Sequence, residues 1–139
     1  MRKSVFVVDN QYQNTLKLCK QTLEPTYSVQ GTTSHREASE TLSKQSIDLL
    51  IAAPMFDGVH GYDFIERVYK NYPDLMTILI LQEHEETSQM IMELLKKAEV
   101  KTNYLRKPVK PEDLSAKVRE LIGEWIKPQP QHLNTSSIS

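Results

Sequence analysis

Asp48-Leu49-Leu50-Ile51-Ala52-Ala53 is a run in which apolar residues follow one another without alternation. A strand with one wet face alternates apolar and polar residues. A strand covered on both faces does not, and parallel sheets are its usual setting. Read as a central parallel strand, this run requires helices above and below it, and the flanking sequence supplies them. Upstream, Ser34 with Glu37 forms a capping box that opens a helix carrying Ala38 and Leu42. Downstream, the turn-rich stretch from Pro54 to Gly61 leads into a helix with Phe64, Ile65 and Val68 inward and a Glu66–Lys70 pair outward, ended by Pro73.

Farther out the same alternation continues. Val5-Phe6-Val7-Val8 is a β-rich run stopped by Asp9-Asn10, and Tyr12, Leu16, Cys19 and Leu23 then recur at helical spacing up to Pro25. Tyr27 to Gly31 reads as a shorter, weaker strand, and Met76 to Leu81 as another apolar one. The next helix has Glu85 and Glu86 at its start and Lys96 and Lys97 at its end, as the helix dipole favours. Met90, Ile91, Leu94, Leu95 and Ala98 are its expected buried stripe. Thr102 to Leu105 reads as a last strand. Pro111, Glu112 and Asp113 then open a final helix lined by Leu114, Val118, Leu121, Ile122 and Trp125. Residues 1–127 thus read as one folded domain, and 128–139 as a flexible polar tail.

Five strands alternating with five helices predict an α/β fold with a parallel sheet between two helical layers. In such sheets function sits at the carboxyl ends of the strands. Those ends hold Asp9 and Asn10, Ala53, Gln82, and Arg106-Lys107-Pro108.

Composition narrows the classes. The chain has 139 residues, 39% hydrophobic and 25% charged, which suits one soluble domain. Seventeen basic against eighteen acidic side chains leave a net charge of −1, which argues against a nucleic-acid partner. The longest apolar run, Leu49 to Phe56, falls far short of the roughly 18–20 residues that span a bilayer, so no membrane role is expected. With no signal-peptide pattern and one cysteine, a cytoplasmic location is the default. Cys19 reads as a small core residue, and His35, His60, His84 and His132 lack metal-ligand spacing. Lys117 and Arg119 read as a solvated face.

Two fragments, the hydrophobic strand closed by Asp9-Asn10 and the sequence Asn103-Tyr104-Leu105-Arg106-Lys107-Pro108, give the chain a resemblance to the receiver domains of two-component response regulators. Asp48 with its apolar run and the helix start near Gly61 lie between them in the right order. The resemblance spans about Ser4 to Ile126. It implies a flavodoxin-like (βα)5 three-layer sandwich with a five-stranded parallel sheet in the order 2-1-3-4-5. It also implies a chemistry: a histidine kinase passes a phosphoryl group to an aspartate ending the third strand. Two acids after the first strand hold Mg²⁺, and a hydroxyl and a lysine after the fourth and fifth strands contact the phosphoryl oxygens. Metal and ammonium neutralise the charge that develops in the in-line displacement. Lys107-Pro108 is the place for the family's cis peptide, with Tyr104 as its switch-like aromatic.

The pattern breaks where the chemistry should occur. Counted from Asp48, the acceptor position is Ala53, and shifting by one gives Ala52 or Pro54. Asp57 lies on the following loop, and Asp48 lies at the other end of the strand, about 16 Å away at the usual rise. Asn10 stands in the acid pair and leaves Asp9 as the sole carboxylate ligand, so weak Mg²⁺ affinity is predicted and no cofactor is required. Gln82 replaces the hydroxyl. Lys107 is retained, and an ion pair with Asp9 is expected to hold the strand ends together. Plainer roles stand beside these: Asp9 as a turn or helix cap, Tyr104 as an edge aromatic.

The leading expectation is therefore a non-enzymatic, degenerate receiver-like module acting by protein–protein contact with a histidine kinase, an effector, or a second copy. Its contact surface would be the fourth helix, fifth strand and fifth helix, from Glu86 to Lys127. The alternative is an active phosphoacceptor using an atypical residue with Mg²⁺. A flavin carrier of related strand order is excluded by the absence of glycine in Asp9-Asn10-Gln11-Tyr12-Gln13.

Overall fold

The structure, a computed structural model, describes residues 2–9, 14–53, 55–56, 59–60, 62–81, 86–97 and 103–123. Strands β1 (Ser4–Val8), β2 (Ser28–Thr32), β3 (Leu49–Ala52), β4 (Met76–Leu81) and β5 (Tyr104–Arg106) form one sheet. They alternate with helices α1 (Asn14–Leu23), α2 (His35–Lys44), α3 (Tyr62–Asn71), α4 (Glu86–Lys97) and α5 (Pro111–Ile122). The sheet order is β2-β1-β3-β4-β5 and every pairing is parallel, as the sequence predicts.

The unbroken apolar runs are explained by two cores, one on each side of the sheet. Phe6, Val8, Leu50, Ala52, Leu79 and Leu81 point to one side, where Ala38 and Leu42 of α2 and Phe64, Ile65 and Val68 of α3 cover them. Val5, Val7, Leu49, Ile51, Ile78 and Ile80 point to the other, against Cys19 and Leu23 of α1 and Leu114 and Val118 of α5. Burying each large aliphatic side chain contributes about 1.5–3 kcal/mol. The central strands supply both cores, which is why they tolerate no polar alternation.

Local signals act where they were read. The Ser34 hydroxyl accepts the Glu37 N–H at 3.3 Å and opens α2. Pro111 occupies the first turn of α5. That helix closes at Gly123, whose φ of 67° lies in the left-handed region that favours glycine. Its last carbonyls are held by distant residues: the Lys3 ammonium donates to Ile122 O, and the Tyr27 hydroxyl donates to Gly123 O at 2.8 Å.

Two expectations need correction. Met90 is 47% exposed and does not belong to the buried stripe of α4; Met92 packs against the α2–α3 core instead. The last strand runs to Arg106, because its pairing with β4 continues from Leu79–Tyr104 to Leu81–Arg106. The stretch read as turn-rich contains a two-residue antiparallel ladder, Met55 with His60 and Phe56 with Val59. Trp125, Ala98 and the 128–139 tail lie outside the described residues.

Candidate functional site

The parallel register gathers the strand ends on one edge of the sheet. Val8 pairs with Ala52, so Asp9 and Ala53 follow on neighbouring strands. The Ala53 N–H donates to Val8 O at 2.9 Å and the Asp9 N–H to Thr32 O at 3.0 Å, extending the ladder by one residue on each side of β1. On β5, the Lys107 N–H donates to Leu81 O at 2.9 Å. The Lys107–Pro108 peptide bond is cis, as is Glu24–Pro25. Asn10, Gln82 and Asp57 lie outside the described residues.

Ala53 is 3% exposed and ends a fully buried strand, so its position offers a methyl group and no nucleophile. Asp9 is completely buried. Its Oδ2 accepts the Leu16 N–H, in the first turn of α1, at 2.7 Å. That short distance is typical of a charge-assisted bond. The charge is felt one turn farther on: burial first, and then the nearby Asp9 carboxylate, push the Cys19 thiol up to about 12. Cys19 is therefore a protonated core side chain at neutral pH, as its place between Leu16 and Leu23 suggests.

The expected Asp9–Lys107 ion pair is not found among the ion pairs that join described residues. Among the described residues the ion pairs are Arg36–Glu40, Lys44–Glu40 and Lys117–Glu120, all within helices. Strands β3 and β4 separate β1 from β5, about 14 Å at the usual strand spacing, and the Asp9 carboxylate is turned toward α1. Lys107 is half-buried. Tyr104 is 36% exposed and carries the Arg106 guanidinium 5.5 Å from its ring centroid, a cation–π stack on the edge strand. At the opposite edge, Asp48 Oδ2 accepts the Ser4 N–H at 2.8 Å and is occupied in joining β3 to β1.

Among the described residues the donor set does not fit Mg²⁺. A protein Mg²⁺ site draws on one or two carboxylates and on phosphate oxygens. Here Ala53 contributes no side-chain oxygen, and one Asp9 oxygen serves a helix N–H. No three His, Cys, Asp or Glu side chains among the described residues come together as a metal site.

Residues 5–119 match the family of the response regulator receiver domain. The chain belongs to that family. The receiver fold recurs in solved structures of low identity. One is the signal receiver domain of an HD domain-containing protein from Pseudomonas fluorescens Pf-5, 24% identical, with a TM-score of 0.72 over 87% of this chain and 94% of that one. Another is the N-terminal signal receiver domain of a two-component system response regulator from Bacteroides fragilis, 15% identical, with a TM-score of 0.73 over 88% and 98%. A third is a response regulator receiver protein from Pseudomonas putida, 23% identical, with a TM-score of 0.69 over 86% and 98%. No curated protein sequence matches the chain. Receivers are signalling modules of two-component systems, generally without catalysis of their own, that work with kinases and effectors. No helix among the described residues of this receiver is long and apolar enough to cross a membrane.

Asp9 as a helix cap was legible in outline, since a carboxylate follows a strand and precedes a helical pattern. The holding of α5 by Lys3 and Tyr27 was not, because those partners lie more than ninety residues from it in sequence.

Proposed function

We propose that this receiver is a degenerate one: it takes no phosphoryl group at the end of β3 and signals by protein–protein contact alone. The observation that carries the reading is the buried methyl of Ala53 beside the Asp9 strand end. Transfer onto a receiver forms a bond between a carboxylate oxygen and phosphorus while the donor's bond to phosphorus breaks. A methyl group has no electron pair for that displacement. Asn10 and Gln82 point the same way, as they replace an acid and a hydroxyl of the family pattern. Asp9 and Lys107 remain as vestiges of the pocket, with Tyr104 and the Lys107–Pro108 peptide beside them.

Output then depends on a surface. The reading assigns docking of a kinase, an effector or a second copy in the cytoplasm to α4, β5 and α5, where Met90 of α4 and Tyr104 of β5 are exposed large apolar side chains. Intact-mass measurement after acetyl phosphate and Mg²⁺ treatment tests the silent site. An unchanged mass is expected. A single phosphate adduct released by hydroxylamine establishes the competing reading, an acyl-phosphate receiver with an atypical acceptor.

A further inference from the structure

We propose that Asp9 is the metal-independent anchor of α1, joining the end of β1 to the first turn of that helix. The inference rests on the silent-site reading in one respect: with Ala53 at the acceptor position, no phosphoryl group is present to recruit a cation.

The first backbone N–H groups of a helix have no acceptor within it. Near the start of α1, described from Asn14, the Leu16 N–H donates to Asp9 Oδ2 at 2.7 Å. The carboxylate thus sits at the positive end of the helix dipole, where a negative charge is stabilised. Complete burial of Asp9 makes such a partner necessary, since a buried carboxylate without donors is costly. Its own N–H is bonded to Thr32 O, so a single residue ties together β1, the edge strand β2 and α1. Leu16 lies against the core shared by α1 and α5, and loss of the anchor would loosen that packing.

A divalent cation at this position would compete with Leu16 for Asp9 Oδ2 and would find no oxygen on the Ala53 side chain. The retained acid is therefore explained by what it does for the helix, with no ion required.

The test compares wild type, Asp9→Asn and Asp9→Ala by thermal melting and by amide exchange of Leu16, each with and without millimolar Mg²⁺. Asp9→Asn keeps an oxygen acceptor and is expected to keep the Leu16 amide protected. Asp9→Ala is expected to lower the melting temperature by about 5 °C and to speed Leu16 exchange about tenfold, the scale of a lost helix cap. Mg²⁺ is expected to leave the wild-type melting temperature and the Leu16 amide resonance unchanged. The proposal is overturned if Mg²⁺ raises the wild-type melting temperature and shifts that resonance. It is overturned equally if Leu16 exchanges at the wild-type rate in Asp9→Ala. Should Asp9→Ala not fold, Asp9→Asn and the Mg²⁺ titration of wild type decide it, with loss of Leu16 protection in Asp9→Asn counting against the anchor. A phosphate adduct in the mass measurement, with Leu16 behaving as expected, removes the silent site and leaves the anchor standing.

Discussion

Gly31 shows how closely single residues are constrained near the strand ends. It pairs with Val7 on the neighbouring strand, and a Cβ built there would lie 2.8 Å from the Val7 carbonyl oxygen and 2.6 Å from Leu16 Cδ1. The leucine methyl can move aside, but the carbonyl belongs to the β1 backbone and moves only with the sheet. Gly31→Ala is accordingly expected to destabilise the protein by about 1–3 kcal/mol, the range of overpacked sites, read as a lower denaturant midpoint at unchanged slope. An unchanged midpoint would show that β2, an edge strand, shifts freely. Nothing in the sequence marks this glycine as special, because its crowding comes from the β1 backbone beside it and from α1 lying over β2. Ala53 is the opposite case, since its methyl side chain is visible in the residue name.

At the scale of elements, the helix ends divide into two kinds. The start of α2 is a local affair: Ser34 and Glu37 are three residues apart, and their hydrogen bond is written in the sequence. Ser34→Ala should cost about 1 kcal/mol, seen as a small drop in melting temperature with the sheet intact. A variant as stable as wild type would mean that solvent caps α2 equally well. The end of α5 is a long-range affair, held by Lys3 and Tyr27, whereas Asp9 holds the start of α1 from seven residues away. Their chemistry was foreseeable, a cation near a carboxyl end and an anion near an amino end, but not the choice of partner. Met90 belongs here as well. Helical spacing placed it on the inner stripe, yet it faces outward while Met92 faces the core.

For the whole molecule, two groups held away from their ordinary ionisation link stability to alkaline pH. The Cys19 thiol is pushed from 9.0 to about 12, and burial raises the Tyr69 hydroxyl above its usual 10.0. Below pH 9 the thiol is protonated in both folded and unfolded chains and its contribution is complete. Between pH 9 and about 12 the unfolded chain releases a proton that the folded chain keeps, so stability falls as pH rises. One thiol gives a slope of about 1.4 kcal/mol per pH unit once the unfolded form is ionised. Tyr69 acts in the same direction at higher pH. Melting temperatures across pH 8 to 11 should therefore decline less steeply for Cys19→Ala than for wild type, whatever the cost of the substitution at neutral pH. Parallel declines would remove the thiol from this account.

The alternation of apolar strands with amphipathic helices determined by itself that this chain builds a parallel sheet between two helical layers, because covered strands and half-covered helices have different periods. It likewise placed Asp9, Ala53 and Lys107 at strand ends. Only the tertiary structure decided that Asp9 accepts the Leu16 N–H. A carboxylate next to a strand end can face a lysine, a cation or a helix, and the choice depends on distances across the sheet. Two intervening strands put the Lys107 backbone far from β1, whereas Leu16, near the start of α1, presents its N–H within reach.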